Sequence, residues 1–262
     1  MALLPGHIQY SPVFVWLFSF LVFLLTSGKC RIIGAFSSCV LTPKEAEQLT
    51  SLLPHFRNTI SLCLDVKHCS SSTAAKLVES ITHEQLQHLV LDELSMTPHL
   101  AAALGRSLPS LTSLRFLKLK GATKQSSEEV VDVKLSFSLD KLENLYLDSF
   151  ITRKNFTTFI ESLQFSPNLS VLQLRKLNLH VNDVCSLLES VSRHNPKLAI
   201  LVLQGTPLGD PVTSIIPYIR NLASLCQLWI RQEDCSKKGW RNLMDIQQAK
   251  NKLSCLILPV LD

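Results

Sequence analysis

Three aspartates, Asp65, Asp92 and Asp148, occupy equivalent positions of a recurring unit, and carboxylates repeated on one face can assemble an oxygen site for a hard cation such as calcium. Lys120 occupies the position between the second and third, placing an ammonium where another oxygen donor is needed, so no metal site is expected. His83 and His88 flank the start of a strand and read as surface residues. No His-Glu-x-x-His helix, Gly-x-Ser-x-Gly turn or paired Cys/His spacing occurs. Gly28-Lys29-Cys30 lacks both the upstream glycine and the hydroxyl of a phosphate-binding loop. The expectation is therefore no enzyme, no cofactor and no small-molecule substrate. Lys118, Lys120 and Lys124, or Lys237, Lys238 and Arg241, could touch phosphates, but a net charge of +5 is mild and the clusters are small. Nucleic acid is not an expected partner.

What remains is recognition chemistry. Phe116, Tyr146, Arg175, Val202, Trp229 and Arg231 fall at the outward offsets of a repeated unit, in three adjacent columns. Aromatic side chains and arginine are the types that anchor protein interfaces, because they bring large area with a polar handle.

Leucines hold these residues in place. A unit Leu-x-x-Leu-x-Leu appears at Leu86-Leu89-Leu91, Leu114-Leu117-Leu119, Leu142-Leu145-Leu147, Leu169-Leu172-Leu174 and Leu198-Leu201-Leu203, and continues through Leu225-Leu228-Ile230 and Leu253-Leu256-Leu258. Its third positions are 28, 28, 27, 29, 27 and 28 residues apart. A unit this short cannot bury its own apolar face and must stack on copies of itself, as in a solenoid. Between the units run apolar i, i+3, i+4, i+7 sets, namely Ala74-Leu77-Val78-Ile81, Phe156-Phe159-Ile160-Leu163, Val184-Leu187-Leu188-Val191 and Val212-Ile215-Ile216-Ile219, each one stripe of a helix. Thr42-Pro43-Lys44-Glu45 is a helix start, and the array is expected to begin there. Ile60 to Leu64 reads as a weaker first strand. Alternation along a strand turns the leucines inward and the intervening residues outward, so Phe116, Tyr146, Ile200, Val202 and Trp229 are expected as apolar groups on a concave surface.

Units of 27 to 29 residues with full helices resemble the ribonuclease-inhibitor-like leucine-rich repeats, also found at the C-termini of NLR-type immune sensors. The resemblance covers roughly Thr42 to Asp262. It implies an α/β horseshoe with parallel strands on the concave face, helices on the convex face, and a protein partner on the concave side. Innate immune signalling is the implied setting; a receptor ectodomain and an enzyme-occluding inhibitor are the alternatives. The family pattern places Asn or Cys three residues after the last strand leucine, where this chain has Leu94, Ala122, Phe150, Leu177, Thr206, Glu233 and Leu261. The departure puts the ladder of turn hydrogen bonds in question.

Residues 1–30 form a separate segment and residues 31–262 a repeat domain of about eight repeats. Val13 to Leu25 is apolar except for Ser19 and is followed by Lys29 and Arg31. It reads as a membrane anchor, a cleaved signal or an alternative start. Positive charge after the run favours an anchor with the repeats facing the cytosol, secretion being the alternative. The eight cysteines form no Cys-x-x-Cys pair and no terminal cluster, which fits reduced thiols, although Cys30 with Cys39 could bridge in an exported chain. Asn155-Phe156-Thr157 and Asn168-Leu169-Ser170 are glycosylation sequons.

Overall fold

The computed structural model describes residues 33–34, 41–55, 59–122, 139–150, 153–177, 179–249 and 255–257. The apolar run 13–25 and the cysteines Cys30 and Cys39 lie outside them.

The strands are β1 (Ile33–Gly34), β2 (Ser61–Asp65), β3 (His88–Leu94), β4 (Phe116–Gly121), β5 (Asn144–Asp148), β6 (Val171–Arg175), β7 (Ile200–Gln204), β8 (Gln227–Ile230) and β9 (Cys255–Ile257), and the seven leucine units form β3 to β9. All pair in parallel and in chain order, giving one sheet of nine strands among the described residues. The register matches repeat to repeat, so Leu62, Leu89, Leu117, Leu145, Leu172, Leu201 and Leu228 form one continuous inward row. None of them is more than 2% exposed. A continuous buried row is what lets units of this size stack without cores of their own.

Helices lie on the other side of the leucines and return the chain to the start of the next strand. They span Pro43–Leu52, Ser71–Glu79, Pro98–Ser107, Arg153–Ser162, Val181–His194 and Lys237–Ala249, with shorter turns between. The first is opened by a full capping box: Glu45 N–H donates to Thr42 Oγ1 at 3.3 Å, and Thr42 N–H donates to Glu45 Oε2 at 2.9 Å. Ser70 and Thr97 cap the next two. Phe159, Leu187 and Ile215 turn inward and are buried, as the helical stripes require. The fold is thus an α/β leucine-rich-repeat solenoid.

Four expectations need correction. The sheet starts at β1, ahead of the Thr42 cap; a strand of two residues carries no leucine pattern to reveal it. The stripe at 212–219 is not one α-helix but a 3-10 segment, Asp210–Ile215, followed by a short helix, Ile216–Asn221. Pro217 has no N–H to give to Thr213, and Ile216 N–H reaches the Thr213 carbonyl instead, which tightens the turn. His83 is not a surface residue; it is 4% exposed, and burial pushes its pKa down. His88 is exposed.

The turn ladder, fourth, does not fail for want of asparagine. Main-chain bonds supply it: Val66 N–H to Asp92 O at 3.2 Å, Ala122 N–H to Leu94 O at 3.0 Å, Ser149 N–H to Arg175 O at 2.9 Å, and Lys176 N–H to Gln204 O at 2.7 Å. Leu94, Phe150, Leu177 and Thr206 plug the interior of these turns and are buried. The turn itself is made by a left-handed residue two places beyond the last strand leucine, with φ of 58° at Glu93, 53° at Ser149, 53° at Lys176 and 67° at Gly205. Gly205 alone of these takes the conformation without a Cβ penalty. Gly121 stands at the equivalent place for a different reason: a Cβ there would lie 2.1 Å from the Ser149 carbonyl oxygen of the next repeat.

Candidate functional site

Outward residues of β5 to β8 enclose an open trough of about 380 Å³ on the concave face. Tyr146 stands at one end and Trp229 at the other. They belong to one outward column, Tyr146, Gln173, Val202, Trp229, set by the strand register. At about 4.8 Å per strand, their backbones are roughly 14 to 15 Å apart. Val171, Ile200 and Gln227 form the flank at the strand beginnings; Arg175, Gln204 and Arg231 form the flank at the strand ends.

Five of the six residues singled out in the sequence therefore line one trough: Tyr146, Arg175, Val202, Trp229 and Arg231. Phe116 lies just outside, stacked on Tyr146 with ring centroids 5.0 Å apart and planes 30° apart. His88 meets Phe116 edge-on at 5.9 Å, so a row of three rings leads to the trough from the N-terminal side. Stacking of this kind fixes the Tyr146 ring as a wall. Trp229 Nε1–H donates to Gln227 Oε1 at 3.3 Å, which orients the opposite wall. Val202 departs from its expectation as an exposed surface group: it is only 7% exposed. Its short side chain sits between Gln173 and Trp229, whose longer side chains rise above it, so it makes the floor. Periodicity gave its direction but not its depth.

The N-terminal half of the same face has different electrostatics. Lys118 Nζ lies 2.9 Å from Asp92 Oδ1, and Lys120 Nζ lies 2.7 Å from Glu93 Oε1. The hydrogen bond to Glu93 raises the Lys120 pKa and keeps the ammonium charged. Asp65 accepts the Lys67 N–H at 2.9 Å. In the trough, Arg231 Nε stands 3.7 Å from Glu233 Oε2, a long contact, while the Asp148 carboxylate accepts the Ser149 hydroxyl at 3.0 Å. The aspartates that shared a sequence interval thus have ammonium or local hydrogen-bond partners, and no group of acidic, histidine or cysteine residues is placed to hold a metal ion among the described residues.

Four of the described thiols are shifted against ionisation, while Cys226 is exposed. Burial raises the pKa of Cys63, Cys69 and Cys185, and burial with the Asp234 charge pushes Cys235 up to about 11. A thiol so shifted is a poor nucleophile at neutral pH. A second hollow, of about 460 Å³, lies where the strands begin, lined by Arg115, Lys141, Glu143, Asn168, Ser170 and Lys197. Its polar groups engage one another: Arg115 pairs with Glu143, and Lys197 donates to Asn168 Oδ1 at 2.6 Å.

No family model matches the chain, and no curated protein matches it. Among solved structures it is similar to one titled "Leiomodin-1 Actin-Binding Site 2 (ABS2)", with 13% identity and a TM-score of 0.43, over 78% of this chain and 97% of that one. No ligand or activity is carried over from that likeness. No helix among the described residues is long and apolar enough to cross a membrane.

Proposed function

We propose that this chain is a non-enzymatic recognition scaffold that binds another protein in the concave trough. The observation carrying the reading is the juxtaposition of Tyr146, Trp229, Arg175 and Arg231 around an apolar floor on an open sheet face. Rigid aromatics lose little conformational entropy when covered, whereas the floor, already shielded by its neighbours, adds shape more than buried area. The spacing of the two walls fits inside the footprint of one protein interface. Replacing Tyr146 and Trp229 together by Ala weakens capture of the partner in pull-down and calorimetry, while exposed Glu161 and Lys237, on the convex side, can be replaced without effect. Wild-type affinity in the double variant would move the site off the concave face.

The resemblance to NLR-type repeats makes innate immune signalling the setting, with the repeats on the cytosolic side of a membrane held by residues 13–25. Two features bear on the test of that topology. Asn155 is 3% exposed, and the Asn168 amide donates to the Asp140 carbonyl at 2.7 Å, so neither sequon offers a free side chain once folded. Expressed protein is expected to show no mobility shift with an endoglycosidase; a shift would put the repeats in the lumen.

A further inference from the structure

The second hollow lies where four successive strands begin, and its charges do not balance. Arg115, Glu143 and Ser170 each stand directly before a strand, β4, β5 and β6. Main-chain bonds hold them in one column, Glu143 N–H to Arg115 O at 2.9 Å and Ser170 N–H to Glu143 O at 2.8 Å. Lys141, Asn168 and Lys197 form a second column, each directly before the first leucine of its unit. Arg115 and Glu143 pair and cancel. Lys197 donates to a neutral acceptor, Asn168 Oδ1, whose own amide N–H is taken by the Asp140 carbonyl at 2.7 Å. Lys141 forms no hydrogen bond or ion pair among the described residues. Two ammonium charges are therefore left over, on exposed side chains two strands apart, roughly 10 Å at the backbone. Apart from Glu143, which Arg115 occupies, every charged group of the lining is a cation.

We propose that this hollow is a second docking point for a protein partner, taking a segment with two carboxylates three residues apart and uncharged residues between them. Charge complementarity sets the sign, since two unbalanced ammonium groups call for two anions. Their separation sets the spacing. In an extended polyproline-type segment, with about 3.1 Å per residue and three residues per turn, side chains at i and i+3 lie on one side, roughly 9 Å apart. The flexible four-carbon lysine stems absorb the remaining difference. A nucleic-acid strand fits less well: it carries a phosphate on every nucleotide, and Glu143 within the lining repels those that meet no lysine. None of these residues lines the concave trough, so the two sites stand or fall separately.

The test is fluorescence anisotropy of a labelled peptide carrying Glu-Pro-Pro-Glu, titrated with the full chain at low salt. Binding is expected, and it weakens as salt rises. Lys141→Gln and Lys197→Gln together are expected to weaken it about three- to tenfold, the loss of two exposed ion contacts. Lys237→Gln with Lys238→Gln lowers the net charge equally at the start of the last helix and is expected to leave affinity unchanged. Tyr146→Ala with Trp229→Ala, in the trough, is expected to leave it unchanged as well. A control peptide with Glu-Glu-Pro-Pro, equal in charge but with adjacent carboxylates, is expected to bind several-fold more weakly. The proposal is overturned by no measurable binding, by equal losses in the two lysine variants, by equal affinity for the two peptides, or by loss in the trough variant. It is also overturned by tighter binding of a short thymidine oligonucleotide that Lys141→Gln, Lys197→Gln abolishes. All four lysines are exposed, and matching thermal melts establish that the variants are folded.

Discussion

The two halves of the concave face are built on the same strands and the same leucine row, yet they spend their side chains differently. From β2 to β4 the outward residues answer one another: Lys118 with Asp92, Lys120 with Glu93, Phe116 with His88. From β5 to β8 the aromatic, aliphatic and arginine groups face an open trough. Since the backbone is common to both, the difference is one of side-chain reach and charge alone. A repeat scaffold can keep one stretch closed to partners and leave another open without changing its fold, because the inward row carries the stability.

That division is broken most severely from the inside. Leu145 and Leu172 are fully buried beneath the trough, and truncation of either to Ala is expected to cost about 2 to 5 kcal/mol through lost burial and a residual cavity. Denaturant unfolding reads the loss. A cost below about 1 kcal/mol would mean that the row does not carry the stability assigned to it.

Next in size is the outward column. Trp229→Ala is expected to weaken binding of the partner by about 2 kcal/mol while leaving the melting temperature close to wild type. Tyr146→Ala should weaken binding comparably but also lose about 0.5 to 1.5 kcal/mol of stability, because its ring stacks on Phe116. Calorimetry and thermal melts of both variants separate the two effects. Equal stability in the two would mean that the Phe116 stack contributes nothing.

Acid should shift the balance between the halves. Burial lowers the His83 pKa below 6.5, so the unfolded chain binds a proton that the folded one resists, and stability around β3 falls as pH drops through the unfolded value. Burial raises the Asp234 pKa above 3.8, so its contribution is full at low pH and is lost as pH rises through the folded value. Asp234 accepts the Gly205 N–H at 2.9 Å and ties the turn after β7 to the next repeat. Between about pH 7 and about pH 4, hydrogen exchange converted to free energies should show β3 losing protection relative to β7. Parallel losses in both would remove the role of these two groups.

Much of this was legible in the sequence for a physical reason. Strand direction follows from a period of two, so the leucine grid gave both the inward row and the outward columns, and five residues chosen on that basis meet in one trough. What the grid could not carry was anything set by a neighbour. Val202 is covered because Trp229 and Gln173 are longer, and His83 is buried by the packing of the loop that leads into β3. The left-handed turns at Glu93, Ser149 and Lys176 leave no residue-type signal, since only Gly205 is a glycine. Pro217 lies inside the apolar stripe 212–219, and an apolar period alone does not distinguish one helix from a 3-10 segment followed by a short helix.

The smallest expected effect gives the sharpest test of the contrast. Lys118 is half-buried and its partner Asp92 lies within 2.9 Å, but both remain open to solvent, 36% and 27% exposed at the side chain. Water screens such a pair, so Lys118→Met is expected to change stability by less than about 1 kcal/mol. It removes one positive charge from the concave face at a position two strands from Arg175. If the partner is held by local contacts in the open trough, the Lys118 variant binds it as tightly as wild type. If it binds the partner as weakly as the Trp229→Ala variant, the paired half is as much a part of the site as the open one.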